Sequence, residues 1–168
     1  YLLLLELFNL MKKIFYKNNK FLVICYFISI IYFSFFFTQI YFFIIVDFTN
    51  KLLIIYLLSI CIATDIGGFT LGKIFQGKKL TKISPNKTYS GLVGSYLFSL
   101  IVFIFFYFKF NFSVNLIILA FLTSTISQLG DLFISLLKRM AKLKDTGNLL
   151  PGHGGILDRI DGIIFAIP

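Results

Sequence analysis

The sequence predicts an all-α, polytopic membrane protein with about four full spans and a fifth that is cut short. Three observations predict it. Of 168 residues, 58% are hydrophobic and only 14% charged, with 23 Phe and no Trp; a soluble domain is about half apolar and about a quarter charged. Four apolar stretches each reach the roughly 20 residues that a helix needs to cross the hydrocarbon core. The cations between those stretches gather on one side.

The elements follow in order. Residues 1–20 read as a basic N-terminal flank carrying Lys12, Lys13, Lys17 and Lys20. The spans run over Phe21–Val46, Leu52–Phe75, Tyr89–Phe108 and Phe112–Leu137, and a fifth opens at Ile160–Ala166. Asp65 and a group of glycines occupy the second half of the second span. The start at Tyr1, and the stop at Pro168 inside a new apolar run, lead to the expectation of a single membrane-embedded domain over 1–168 that lacks part of its C-terminus. No cleavable signal pattern is visible. Cys25 and Cys61 lie inside apolar runs and read as buried thiols.

Alternating spans put fourteen of the sixteen Lys and Arg residues on one side, leaving only Lys51 and Lys109 on the other. That bias marks the cytoplasmic face. The net charge of +9 therefore reads as an oriented surface and not as a nucleic-acid patch. Asp65, Asp131, Asp145, Asp158 and Asp161 belong to the same side or to the span halves leading into it, whereas Glu6 and Asp47 read as exceptions. Charge kept in or near lipid is costly and usually functional.

The densest chemistry runs from Gly130 to Gly162. Asp158 and Asp161 are three apart and share a helix face. With Asp131 from the preceding span they offer carboxylate oxygens to Mg²⁺, an ion that takes a few carboxylates together with substrate phosphates. Gly152, Gly154 and Gly155 allow a tight turn that presents N–H groups to an anion at a helix start. Lys138, Arg139, Lys144 and Arg159 neutralise phosphates, arginine with a two-pronged grip. Alone, Lys138–Lys144 would be an ordinary anchor to anionic lipid; three carboxylates, four cations and a glycine loop with the single histidine, His153, together suggest a reaction site.

The stretch Ser135-x-x-Lys138-Arg139-x4-Lys144-Asp145-x-Gly147-x2-Leu150-Pro151-x-His153-Gly154-Gly155-Ile156-x-Asp158-Arg159-Ile160-Asp161 resembles the signature of the phosphatidate cytidylyltransferases. Asp65 in ATDIGGFTLGK and the run Ser84-Pro85-Asn86-Lys87-Thr88 resemble two further segments of that family. The resemblance covers roughly residues 52–167. Ser90 and Ile134 depart from it, standing where the family usually has Glu.

The resemblance implies transfer of the cytidylyl group of CTP to phosphatidic acid, giving CDP-diacylglycerol and pyrophosphate, with Mg²⁺ and possibly a second cation. It implies a bilayer setting, the bacterial inner membrane with the site toward the cytoplasm, and a possible homodimer. Asp131, Asp158 and Asp161 are then expected as metal ligands. Asp131, Lys138, Arg139, Lys144, Asp145 and His153 are expected in the catalytic set, His153 at a phosphate or ordering the glycine loop. Ser84, Lys87, Thr88, Gly154, Gly155 and Arg159 are expected to bind substrate. Asp65 stands open between a metal-shell carboxylate and a buried partner for Lys73. Two rivals remain. A CDP-alcohol phosphotransferase lacks its helix of paired Asp residues here, and a transporter or channel would disperse its charges near the midplane.

Overall fold

The computed structural model describes residues 1–46, 48–81, 84, 87–147 and 154–167. The described elements are helices α1 (Leu2–Ile14), α2 (Asn19–Val46), α3 (Phe48–Phe75), α4 (Tyr89–Phe110), α5 (Leu116–Met140) and α6 (Leu157–Ala166). The helices α2 to α5 are long and apolar enough to cross a membrane. At about 1.5 Å per residue the 28 residues of α3 reach past a hydrocarbon core of about 30 Å, so the polar end of the helix emerges at the headgroups. The chain is an all-α polytopic membrane protein. Residues 1–20 were expected only as a flank, but 2–14 form a helix that folds back onto α2, α5 and α6.

Local chemistry ends these helices where the loops begin. The Thr88 side chain caps α4 by accepting the Gly91 N–H at 3.1 Å. Asn111, at φ 52° and ψ 42°, closes the other end of α4 in the left-handed conformation that a short amide tolerates. Past α5, Lys142 takes φ 56° while Leu143 N–H bonds Lys138 C=O at 2.8 Å and Lys142 N–H bonds Arg139 C=O at 3.0 Å. That is a Schellman ending with lysine at the position usually held by glycine.

In lipid, helices associate through close packing and polar contacts, because tails are as apolar as leucine. The α3–α4 pair uses glycine for this. A Cβ on Gly67 would lie 2.4 Å from the Gly94 carbonyl oxygen, and one on Gly91 would lie 2.7 Å from that of Gly68. Backbones thus touch directly, and the Ser95 hydroxyl donates to Thr64 C=O at 2.8 Å while the Thr64 hydroxyl donates to Ser124 at 3.0 Å, tying α3, α4 and α5 together. At the far end Tyr56, Phe106 and Phe112 stack into an apolar cluster, and the Tyr56 hydroxyl bonds Leu116 C=O at 2.9 Å.

The α5–α6 contact places the carboxylates. A Cβ on Gly162 would lie 2.4 Å from the Ser127 hydroxyl oxygen, and one on Gly130 3.0 Å from Asp161 C=O. The residues following Gly130 and preceding Gly162, Asp131 and Asp161, are therefore neighbours. A second apolar cluster of Leu7, Phe33, Ile134, Leu157 and Ile164 backs this corner, with the Tyr32 hydroxyl bonded to Ile164 C=O at 2.8 Å. Ile134 is packed within that cluster, so the acid expected at its position by resemblance would have no polar surroundings there.

Candidate active site

The described residues between α3 and α4 pair with one another under the helix ends. Leu80 N–H bonds Lys87 C=O at 2.7 Å and Tyr89 N–H bonds Lys78 C=O at 3.0 Å, so residues 78–80 and 87–89 run side by side. This pairing carries the Lys87 side chain to α5, where its ammonium sits 2.5 Å from Asp131 Oδ2 and donates to Gln128 C=O at 3.4 Å. Beneath lies a cavity of about 290 Å³ whose polar lining includes Asp65, Ser84, Lys87, Thr88, Gln128 and Asp131.

Asp131 is the hub of this cavity. It touches Lys87 on one side, and its carboxyl group meets that of Asp161 on the other. Asp65 lies across the cavity, within electrostatic reach of both Asp131 and Lys87. Two carboxyl groups in contact need a proton or a cation between them, since like charges at that range repel. Among the described residues no three such side chains close on one point as a finished metal cluster. Asp65 faces the cavity, while Lys73 lies 5.7 Å over the ring of Phe69.

Asp158 occupies a different network. Its Oδ1 accepts from the Lys138 ammonium at 2.7 Å, and its Oδ2 accepts from Thr146 N–H at 2.8 Å, the Thr146 hydroxyl at 3.0 Å and Gly155 N–H at 2.9 Å. Burial pushes this carboxyl up, but the Lys138 ammonium and the two backbone N–H groups outweigh it and hold the group below its ordinary value. Glu6 of α1 completes the network. Only 4% exposed, it accepts Ile156 N–H at 2.9 Å on Oε1 and Leu157 N–H at 2.8 Å on Oε2.

These contacts bear on three expectations. Asp158 was expected as a metal ligand; here both its oxygens accept from protein donors that tie it to the loop before α6. Gly155 was expected to offer its N–H to a phosphate; that N–H goes to Asp158, and the next two go to Glu6. Glu6 was expected away from the basic face and lies within it. Gly154 does match its expected turn role: at φ +84° it is left-handed, and a Cβ there would press 3.3 Å from Asp145 Cβ.

The other expected residues spread around these two networks. Ser84, Lys87 and Thr88 border the cavity, Thr88 doubling as the α4 cap. Arg139, Lys144, Asp145 and Arg159 are exposed at the same face. His153 and Gly152 lie outside the described residues. The sequence reading missed Glu6, Thr146 and Gln128. A lone acid inside the apolar run LLLLELFNL was the available signal for Glu6, because such an acid must find buried donors.

The family model described as "Cytidylyltransferase family" matches residues 1–168. The chain belongs to the cytidylyltransferase family. Among its relatives, a phosphatidate cytidylyltransferase of Rickettsia felis (strain ATCC VR-1525 / URRWXCal2) is 41% identical over 132 residues, covering 71% of this chain and 57% of the relative. The protein of that name from Bacillus subtilis (strain 168) is 41% identical over 110 residues, covering 63% and 41%. One from Helicobacter pylori (strain J99 / ATCC 700824) is 40% identical over 114 residues, covering 67% and 43%. This family member thus spans about half the length of the curated relatives it matches.

Proposed function

We propose that this chain carries the site at which phosphatidic acid attacks CTP, giving CDP-diacylglycerol and pyrophosphate with Mg²⁺. A phosphate oxygen of the lipid forms the new bond to the α-phosphorus of CTP as the bond to the β-phosphate oxygen breaks. The lipid phosphate is already ionised near neutral pH, so no strong base is required. The barrier to overcome is repulsion among anions, relieved by fixed positive charge held in line with the displacement.

The observation that carries this reading is the Lys87–Asp131–Asp161 arrangement beside a polar cavity at the basic end of the spans. The donor set fits Mg²⁺, which takes one or two carboxylates and completes its shell with water and phosphate oxygens. Asp131 and Asp161 would hold the ion, with Asp65 facing them across the cavity. When bound, it neutralises phosphate charge and polarises the phosphoryl group. Lys87 would then exchange Asp131 for a nucleotide phosphate, and Ser84 would donate to a phosphate oxygen. Arg139, Lys144 and Arg159 would hold the lipid or nucleotide phosphates at the headgroup level, with His153 assigned to a phosphate and Asp145 to orienting Lys144. Lys138 and Asp158 keep the loop in shape for them.

A second cation and a homodimer belong to the same proposal. So does a site facing the cytoplasm of a bacterial inner membrane, a placement supported by the fourteen cations gathered on that face. Clustering of the carboxylates at one end of the bundle speaks against an ion path, which would distribute them through the midplane.

The test is product formation. Protein purified in detergent, incubated with labelled CTP, phosphatidic acid and Mg²⁺, is expected to yield labelled CDP-diacylglycerol. No lipid-linked label with either CTP or dCTP would defeat the proposal.

A further inference from the structure

The geometry points to Glu6 as the positioning residue that sets α6, and with it Asp161, against Asp131; the inference rests on the catalytic reading of that carboxylate pair. An acid buried in an apolar helix is tolerated only where donors surround it. Glu6 meets two, the Ile156 N–H and the Leu157 N–H, and the Thr146 hydroxyl, closer to Asp158, stands 3.3 Å away. Both N–H groups are among those that an α-helix leaves unpaired at its start, where negative charge is favoured.

The contact is also sterically closed. A Cβ on Gly147 would lie 2.9 Å from Glu6 Oε1, and one on Gly155 would lie 2.6 Å from Glu6 Oε2 and 2.2 Å from the Thr146 hydroxyl oxygen. Thr146 stands between two carboxylates, giving its N–H to Asp158 and its hydroxyl to the space shared by Asp158 and Glu6. Glu6 therefore holds Thr146 and the start of α6 together. From that anchor α6 runs one turn to Asp161, which meets Asp131 on α5. A helix far away in sequence thereby sets the spacing of two acids it never touches. Because Glu6 and Asp158 consume the N–H groups of 155–157, the start of α6 is a joint of the fold, and phosphates are left to side-chain cations.

Glu6→Gln retains size and one acceptor oxygen, while Glu6→Asp retains charge on a side chain one methylene shorter. Two readouts need no turnover: trypsin cleavage after Lys142 or Lys144 without metal, and Mn²⁺ affinity by electron paramagnetic resonance. For Glu6→Gln, in protein with native helix content by circular dichroism, cleavage is expected about tenfold faster and Mn²⁺ binding about tenfold weaker, the size of one lost charge-assisted bond. Glu6→Asp is expected to recover part of both. Unchanged Mn²⁺ affinity overturns the inference, whether or not cleavage accelerates, and so does a wild-type protein that binds no Mn²⁺. Wild-type protein that binds Mn²⁺ but forms no CDP-diacylglycerol sinks the catalytic reading alone.

Discussion

Removing the charge of Asp158 separates a structural carboxylate from a metal ligand. Its side chain is 9% exposed and that of its partner Lys138 14%, so the pair is largely shielded from water. Breaking such a pair from one side costs about 3–5 kcal/mol. The Asp158→Asn amide keeps an oxygen for Thr146 and Gly155 but turns an N–H toward the ammonium, which supports the lower end, about 3 kcal/mol. On a chain of this size that lowers the unfolding midpoint by about 6–12 °C. Lys138→Met removes one charged bond, about 1.5–3 kcal/mol. In the double variant the costs overlap, with an expected coupling of about 2 kcal/mol. Thermal unfolding in detergent, followed by far-ultraviolet circular dichroism, measures all three. A coupling under about 0.5 kcal/mol, the range of exposed pairs, would refute the reasoning.

Other expectations follow from the same contacts. Because Asp158 is held below its ordinary value, its contribution is full above about pH 3.9 and fades as pH falls through the lower folded value; the unfolding midpoint of wild type is expected to drop over that acid range more than that of Asp158→Asn. Gly130→Ala drives a methyl toward Asp161 C=O and the Phe165 ring, so the Mg²⁺ needed for half-maximal turnover should rise several-fold with little change in helix content. Gly94→Val places atoms on the Gly67 carbonyl and is expected to cost about 1–3 kcal/mol in detergent stability. Lys142→Gly relieves a left-handed lysine and should add up to about 1 kcal/mol without altering activity.

The spans were legible because length and hydropathy alone define them, and their observed ends fall within a few residues of those expected. The sidedness of the cations followed from the same segmentation. The α1 helix was not legible: at 13 residues it is shorter than a span, and its lysines gave it the look of a flank. Glu6 was misassigned for the same reason, since counting along the chain cannot see a helix that folds back onto α6. Asp131, Asp158 and Asp161 were singled out together as metal ligands. Their division into a cavity pair and a loop anchor depends on which donors converge on each oxygen. For Asp158 those donors are backbone N–H groups, which no side-chain pattern reveals. The pairing of Lys87 with Asp131 likewise depends on residues 78–80 and 87–89 running side by side.

Binding of Mn²⁺ to Asp131→Asn and Asp158→Asn proteins, measured by electron paramagnetic resonance, tests the division of labour among these acids. Asp131→Asn is expected to lose the ion while remaining folded, whereas folded Asp158→Asn is expected to keep it, weakened by no more than the about tenfold expected when the start of α6 is loosened. Loss of the ion in Asp158→Asn together with its retention in Asp131→Asn would contradict the assignment.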